Sequence, residues 1–375
     1  MDEAGHARPA QSVVESARMK ARFQRKSDHI DLCADDGAVY RSHNGLFDQF
    51  HFIHNALPQL AMDDIDLTTT LLDARLNAPI MVTGMTGGPE RAGRINQGIA
   101  AVCEKLGLAF GVGSQRLLTQ HPDAADTFRL RSVAPNLTIF GNIGVNQARD
   151  LGAKRVLQLK TMIEADYMAI HLNPAMELVQ PGADSDSDFR AGYETIAALV
   201  DALDGQLIVK ECGCGLGPDE AARLESIGVR AVDVSGSGGT SWVKVEALRG
   251  EGLQAALGET FAEWGIPTLA ATTLVARRTS LQIIASGGID DGLKAAKALA
   301  MGARVAGTAR PVLQAFLENG EEGAHMFLET LIAGVRMTLA LNGVRTVDEL
   351  RRRPKVIGPD LATWLQHTPH IPAER

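Results

Sequence analysis

Short apolar runs rich in β-branched residues recur along the chain at a regular interval. The first four begin near positions 79, 108, 137 and 167, which are 29, 29 and 30 residues apart. Further runs follow near 207, 230, 281 and 303. Runs of this length, bounded by glycine and proline, are typical of buried β-strands. The pattern therefore predicts eight strands.

The segments between these runs carry the periodicity of amphipathic helices. In residues 89–106 a proline stands at the start, a glycine follows the end, and five apolar residues share one face: Ala92, Ile95, Ile99, Cys103 and Leu106. Proline in the first turn and glycine after the last turn are typical helix boundaries. Residues 218–227 and 291–301 show comparable boundaries, and we expect helices there too.

Strands that alternate with helices of this length predict right-handed βαβ units and a parallel sheet. Eight strands fit a (β/α)₈ TIM barrel in the α/β class. The alternative is an open doubly wound sheet, which favours GxGxxG after its first strand; TGMTGG at 83–88 does not match it. We expect an N-terminal arm and capping segment (1–74), the barrel (75–342) and a C-terminal surface tail (343–375). The segment between the sixth and seventh strands, residues 235–280, is longer than a simple crossover connection needs. We therefore expect it to include an excursion over the active face of the barrel.

Composition narrows the class of protein. The 375 residues are 45% apolar and 22% charged, and 37 basic against 45 acidic residues give a net charge of −8. An acidic chain without a basic block is a poor candidate for binding nucleic acid or a membrane surface. The first residues lack the apolar core of a secretory signal. Four cysteines do not form a disulfide framework, and we expect a reduced, cytoplasmic protein.

Polar, glycine-rich segments follow all eight predicted strands. In a barrel these strand ends meet on one rim, which holds the active site. The segments are TGMTGG (83–88), GSQR (113–116), GNIG (141–144), HLNPAMELVQ (171–180), KECGCG (210–215), SGSGGTSW (235–242), SGGI (286–289) and GTAR (307–310). Eight such segments in series indicate a binding rim rather than turns selected for folding alone.

The last two segments predict a phosphate site. TIM barrels commonly bind phosphate after strands seven and eight, on backbone N–H groups and a helix N-terminus. Glycine lets the phosphate approach the backbone closely. The alternative is that these glycines serve only the turns.

Lys210 ends the fifth strand and has two interpretations. Pointing into the site, it would stabilise negative charge on a bound ring, as a reduced flavin requires. Otherwise it forms a surface pair with Glu211. Buried lysines are rare, which favours a function.

A second candidate group follows the fourth strand. His171 can exchange protons near neutral pH, Asn173 can orient a substrate oxygen, and Glu177 offers hard oxygens for Mg²⁺ beside a phosphate. The alternative for His171 is a hydrogen-bonded structural histidine.

Basic residues near the rim are candidates for binding an anion. Arg25, Lys26 and His29 form a compact group in the N-terminal arm, which either clamps an anion over the barrel mouth or is a solvated run of charge. Arg116 is a stronger candidate because it emerges from the rim itself. Cys212 and Cys214 form CxC without a second pair, which gives no zinc or redox signature.

Together these segments resemble the type 2 isopentenyl diphosphate isomerases, which are FMN-dependent (β/α)₈ barrels. The resemblance spans about residues 22–345 and covers motifs in the family's order: RKSDHI, HNALPQL, MTGG, GSQR, GNIG, HLNPAMELVQ, VKECGCG, VDVSGSGGTSW and SGGI. VDVSGSGGTSW is the most specific of them.

The resemblance implies roles for individual residues. It places FMN against Met85, Thr86, Gly87, Ser114, Asn142, Lys210, Ser235, Thr240, Gly287, Gly288, Ala309 and Arg310. It places the prenyl diphosphate against Arg25, Lys26, His29, Arg116, His171 and Asn173, with Trp242 as a wall. Glu177 would bind Mg²⁺, and NADPH would serve as the reductant of FMN. Family members tend to form homo-oligomers, and we expect one here.

One position departs from the family pattern HLNxxQE. Met176 stands where the family has a glutamine associated with proton handling, and a thioether carries no proton to give. Because it occupies this position, Met176 is grouped with His171 and Lys210 as the candidate catalytic residues. Water or the reduced flavin replaces the glutamine, or the substrate is a different prenyl compound, or activity is low.

Three functions remain at this stage. The first is an isomerase that moves a double bond by protonating one carbon and deprotonating another, with reduced FMN and no net redox change. The second is an FMN oxidoreductase of the 2-hydroxy-acid type, which needs a histidine base and paired arginines near the late strands. The third is a non-catalytic protein that binds flavin or prenyl diphosphate.

Overall fold

The computed structural model describes residues 28–32, 36–180 and 186–366. Eight parallel strands form a closed barrel in which neighbours in sequence are neighbours in space. They are β4 (Ile80–Val82), β5 (Ala109–Gly111), β6 (Thr138–Gly144), β7 (Tyr167–His171), β8 (Leu207–Lys210), β9 (Ala231–Asp233), β10 (Gln282–Ala285) and β11 (Val305–Thr308). All eight predicted strands are confirmed, as is the barrel over the doubly wound sheet.

Helices surround the barrel and continue beyond it. They are α1 (Glu90–Leu106), α2 (Val145–Leu151), α3 (Ala153–Met162), α4 (Pro174–Val179), α5 (Gly192–Ala202), α6 (Pro218–Ser226), α7 (Trp242–Arg249), α8 (Gly252–Thr260), α9 (Thr268–Arg278), α10 (Gly292–Ala300), α11 (Arg310–Leu341), α12 (Val347–Arg352) and α13 (Pro359–Gln366). The α1 helix ends at Gly107, whose φ of 66° is left-handed, so the predicted boundary is confirmed there. Helices α7, α8 and α9 form the predicted excursion.

A β-hairpin closes the amino-terminal end of the barrel. Strands β2 (Thr69–Leu71) and β3 (Ala74–Leu76) pair antiparallel. Leu71 and Leu76 pack in one buried cluster with inward-facing residues from all eight barrel strands. In this cluster the rings of Phe140 and Tyr167 stack with centroids 5.0 Å apart. The barrel is therefore filled below, and its open end is the rim at the strands' carboxyl ends.

Residues 343–366, the described part of the C-terminal segment, do not form the surface tail that the sequence predicts. Strand β12 (Lys355–Ile357) pairs antiparallel with β1 (Phe50–Phe52), and Leu350 and Leu361 are fully buried. The basic residues explain the difference, because Arg351 donates to the carbonyls of Leu299 and Ala303 and Lys355 donates to that of Ala300. Leu299 and Ala300 lie in the last turn of α10 and Ala303 follows it, and cations are favourable at this end of a helix.

Helix α11 is the one described helix long and apolar enough to cross a membrane, on length and composition alone. Its backbone leaves helical geometry at Asn319 and Gly320. It follows the eighth barrel strand and packs against α1 and α10, with Leu328 and Leu339 fully buried. This is the position of the last helix in the outer ring of a TIM barrel.

Candidate active site at the carboxyl ends of the barrel strands

The polar strand ends converge on one cavity at the open end of the barrel. Most of the predicted site residues line it: His29, Met85, Thr86, Ser114, Arg116, Asn142, His171, Asn173, Met176, Glu177, Lys210, Ser235, Thr240, Trp242, Gly287, Gly288, Ala309 and Arg310. Gly87 does not, because a Cβ at this position would lie 2.1 Å from the ring of Phe128. Arg25 and Lys26 lie outside the described residues.

The glycines after β10 bring two loops into backbone contact. Gly287 and Gly288 have φ of 105° and 80°, which L side chains rarely adopt. A Cβ on Gly287 would lie 2.0 Å from the carbonyl oxygen of Gly236, and one on Gly288 would lie 2.4 Å from that of Gly238. This part of the wall is therefore built from backbone, with no room for a side chain.

The amino terminus of α11 lies beside these glycines in the cavity wall. The helix starts at Arg310, and its N-cap Ala309 makes no side-chain capping bond. Helix N-termini and close backbone approach together make a site for a phosphate group. In the same cavity Thr86 Oγ1 is buried without a hydrogen-bond partner among the described residues. A glycine cradle, a helix terminus and an unpaired hydroxyl fit a phosphate-bearing cofactor such as FMN.

Lys210 is buried at the base of the cavity. Its Nζ donates to the carbonyl of Glu211 at 2.6 Å and lies 3.6 Å from Cys212 Sγ. Asp233 occupies the paired position on β9. The structure therefore excludes the alternative of a surface pair with Glu211.

The charges around Lys210 keep it protonated. Burial lowers its pKa, but Cys212, Asp233 and Glu211 oppose burial and the pKa is raised overall. Burial also raises the pKa of Cys212 to about 11. That thiol is neutral at pH 7, which leaves Asp233 and Glu211 as the carboxyl partners of Lys210, and burial raises the pKa of both. Asp233 Oδ1 also accepts from Ser286 Oγ.

The His171 ring is oriented by a chain of amides. Its Nδ1 lies 2.8 Å from Asn142 Oδ1, and Asn142 Nδ2 donates to the carbonyl of Val112. Because this bond fixes the amide, we assign the proton of the neutral ring to Nδ1 of His171, which makes Nε2 the acceptor nitrogen. Gln115, fully buried, accepts from the backbone N–H of Asn142 and donates to Leu159.

The segment after β7 presents polar side chains on a short helix. Asn173 Nδ2 donates to Glu177 Oε1 at 3.1 Å, and the backbone N–H of Asp186 donates to Glu177 Oε2. No cluster of three or more metal-ligating side chains occurs among the residues that the structure describes. A single buried carboxylate fits Mg²⁺ that takes its other oxygens from water and a substrate phosphate.

A carboxylate on α7, that of Glu246, holds the side chain of His29 in place. Its Nε2 lies 2.9 Å from Glu246 Oε1, and Arg249 donates to Glu246 Oε2 at 2.7 Å. The His29 ring meets Trp242 edge-on with centroids 5.2 Å apart. Glu246 is fully buried and so needs these partners. His29 thus anchors the arm beside the predicted substrate wall.

Sequence reasoning missed Gln115, Glu246 and Arg249. Gln115 stands between two residues that were singled out in GSQR, and Glu246 lies one turn after Trp242 on the excursion. Glu246 and Arg249 are three residues apart and of opposite charge, a pattern common on exposed helices. Only the fold reveals that this pair is buried against His29, 217 positions away from Glu246.

The chain is similar to known proteins over most of its length. The family model of FMN-dependent dehydrogenases matches residues 126–356. An isopentenyl-diphosphate delta-isomerase of Nostoc sp. is 42% identical over 330 residues, covering 87% of this chain and 93% of the relative. One of Methanothermobacter thermautotrophicus is 40% identical over 342 residues, covering 91% and 95%.

Solved structures agree in fold at much lower identity. A mandelate oxidase variant with (S)-mandelic acid superposes with a TM-score of 0.62 at 16% identity, covering 90% of this chain and 98% of that one. This likeness shows the barrel fold alone. From its close relatives and its FMN-type barrel, the chain belongs to the flavin-dependent, type 2 isopentenyl-diphosphate delta-isomerase family.

Proposed function

We propose that the protein interconverts isopentenyl diphosphate and dimethylallyl diphosphate, with reduced FMN as cofactor. One proton is added to the terminal carbon of the double bond and one is removed from the carbon two bonds away, so no net oxidation occurs. The observation that carries the proposal is the buried, charged Lys210 in the same cavity as the glycine cradle. It supports a cofactor that is both phosphate-bearing and negatively charged at its ring.

The cofactor is held by backbone at one end and by charge at the other. Gly287, Gly288, Ala309 and Arg310 hold the phosphate, and Met85, Thr86, Ser114, Asn142, Ser235 and Thr240 border the ring. Reduced FMN, when bound, supplies the acid–base chemistry of the reaction. Lys210 would place a fixed positive charge near the reduced ring, where a preorganised charge stabilises an anion.

The substrate lies between the β7 side and the arm. His171 and Asn173 orient it, Arg116, Arg25 and Lys26 bind the diphosphate, and His29 with Trp242 closes the pocket. Glu177 binds Mg²⁺, which neutralises the diphosphate charge when present. We further propose that NADPH reduces the flavin once for many turnovers.

Met176 lies in the cavity wall and cannot transfer a proton. Its sulfur lies 3.7 Å from Asn173 Nδ2, a weak contact compared with an amide hydrogen bond. The chain therefore moves no proton at this position. The Met176 side chain instead provides an apolar contact for the hydrocarbon end of the substrate.

The catalytic residues that a 2-hydroxy-acid oxidoreductase needs are missing from the segments after β10 and β11. At residues 286–291 and 308–311, which follow β10 and β11, Arg310 is the one arginine and no histidine occurs. A 2-hydroxy-acid oxidase requires a histidine base and paired arginines there. The relatives named as isomerases also favour the first function.

The assay compares holoenzyme with flavin-free protein. Each is incubated without oxygen with NADPH, Mg²⁺ and isopentenyl diphosphate, and dimethylallyl diphosphate is measured. We expect product only with FMN, and product far exceeding the NADPH consumed. Undiminished product from flavin-free protein contradicts the proposal, and oxidation of a hydroxy acid with flavin reduction supports the alternative.

We also propose that the protein is a homo-oligomer in the cytoplasm. Large apolar side chains are exposed on α8 and the turn after it: Leu253, Leu257, Phe261 and Trp264. Contiguous exposed apolar surface of this kind is typical of protein interfaces. Light scattering on the purified holoenzyme measures the assembly, and a monomeric mass contradicts it.

A further inference from the structure

Helix α4 turns one face toward the cavity. Asn173, Met176, Glu177 and Gln180 all line it. Met176 and Glu177 lie within the helix, and Asn173 and Gln180 are its N-cap and C-cap residues. The backbone N–H of Gln180 donates to the carbonyl of Met176, which keeps it in register at the helix end. Leu178 is 57% exposed, as expected for another face.

Gln180 differs from its neighbours on this face in its hydrogen bonding. Asn173 and Glu177 bond to each other, and Glu177 also accepts from Asp186. Gln180 is only 5% exposed, and its Nε2 is buried without a partner among the described residues. A buried amide donor without an acceptor destabilises the fold, and native proteins rarely retain one without a reason.

We propose that Gln180 is a substrate-binding residue whose side-chain amide donates to a phosphate oxygen of the diphosphate. This inference rests on the proposed function, because a prenyl diphosphate carries all its hydrogen-bond acceptors at the phosphate end. Glu177, which is suited to the diphosphate-bound cation, lies one turn before Gln180 on the same face. The side-chain amide of Gln180 thereby provides an uncharged hydrogen-bond donor for the diphosphate, whereas the thioether of Met176 cannot donate a hydrogen bond.

The proposal predicts opposite effects on stability and binding. Gln180→Leu removes an unsatisfied donor, so the melting temperature of the ligand-free holoenzyme should rise by roughly 2 °C. The same change should raise the dissociation constant of inorganic pyrophosphate with Mg²⁺ by about tenfold, since hydrogen bonds to charged acceptors are the stronger ones. Calorimetric titration of the FMN-loaded protein measures the second effect.

Two further variants complete the test. Gln180→Met keeps the length of the side chain and serves if the leucine variant fails to fold; it should weaken pyrophosphate binding to a similar extent. Gln158→Leu removes an exposed amide on α3, outside the cavity, and should leave the dissociation constant unchanged. An unchanged constant in both Gln180 variants overturns the inference. A lower melting temperature with unchanged binding assigns the residue a structural role and overturns it as well.

Failure of this inference is distinguishable from failure of the proposed function. Pyrophosphate binding is measured without turnover. A holoenzyme that binds pyrophosphate through Gln180 but does not isomerise the substrate supports the inference and contradicts the function. An active isomerase whose affinity for pyrophosphate is the same with and without Gln180 contradicts the inference but not the proposed function.

Discussion

The two sides of the cavity are built in different ways. On the side of β10 and β11 the wall is backbone, with Gly287 and Gly288 against the carbonyls of the loop after β9. On the side of β7 the wall is side chains on α4 and at its carboxyl end, among them Met176 and Gln180. A backbone wall admits almost no change, because any Cβ clashes. A side-chain wall can exchange one residue for another, and the departure from the family pattern occurs there.

Lys210 belongs to neither wall, and its removal should have the largest effect. Lys210→Met removes the charge that stabilises the reduced flavin, so we expect kcat to fall by about 10²–10³-fold, as for loss of a preorganised electrostatic contact. The reduction potential of bound FMN should also fall. Lys154→Met, on an exposed part of α3, is the control. An unchanged potential would show that Lys210 does not act on the flavin.

Adding a single methyl group at Gly287 should disrupt the backbone wall. Gly287→Ala combines a left-handed φ with a Cβ 2.0 Å from a carbonyl oxygen, and we expect a loss of roughly 2–4 kcal/mol in the free energy of unfolding together with loss of FMN. Flavin absorbance after gel filtration and denaturant unfolding measure both. Gly192→Ala, whose Cβ would have no neighbour nearer than 3.9 Å, should retain FMN. Retention of FMN by Gly287→Ala would show that Gly287 is not part of a phosphate-binding cradle.

The loop after β8 lies between the two walls and is held by a buried carboxyl. Glu211 Oε2 accepts from the backbone N–H groups of Cys214 and Gly215, yet burial raises its pKa to about 7. A carboxyl whose pKa is raised on folding stabilises the fold below its unfolded pKa and loses that contribution as pH rises through its folded pKa.

The free energy of unfolding should therefore fall between about pH 4.5 and 7 by on the order of 3 kcal/mol from this group. In Glu211→Gln that part of the pH dependence should disappear. Urea unfolding at several pH values measures it. A profile identical to that of the unchanged protein would mean that Glu211 keeps an ordinary pKa.

The side-chain wall should tolerate exchange with the smallest effect. Met176→Gln restores the family residue, and we expect kcat to change by less than about tenfold, since a group outside position 176 already handles the proton. Steady-state assays of the reduced holoenzyme measure this. A hundredfold rise, about 2.7 kcal/mol, would show that Met176 silences the site and would remove the contrast between the two walls.

The fold follows from the sequence because its signals are local. Strand spacing and boundary residues such as Gly107 depend on neighbours in the chain, so eight strands were predictable. The rim residues were predictable as strand ends, although Gly87 packs against Phe128 instead of lining the cavity. The burial of Glu246, and of the Gln180 amide that finds no partner in the described part of the chain, depends on contacts between distant segments, which periodicity does not encode. The same holds for the Arg-rich segment that covers the end of α10.

The most direct test of the isomerase is proton exchange with solvent. The holoenzyme is incubated in D₂O with NADPH, Mg²⁺ and isopentenyl diphosphate, and the mixture is followed by NMR. We predict dimethylallyl diphosphate that carries deuterium, formed with methionine at position 176. Neither product nor exchange, with FMN bound and reduced, would contradict the function proposed for this cavity.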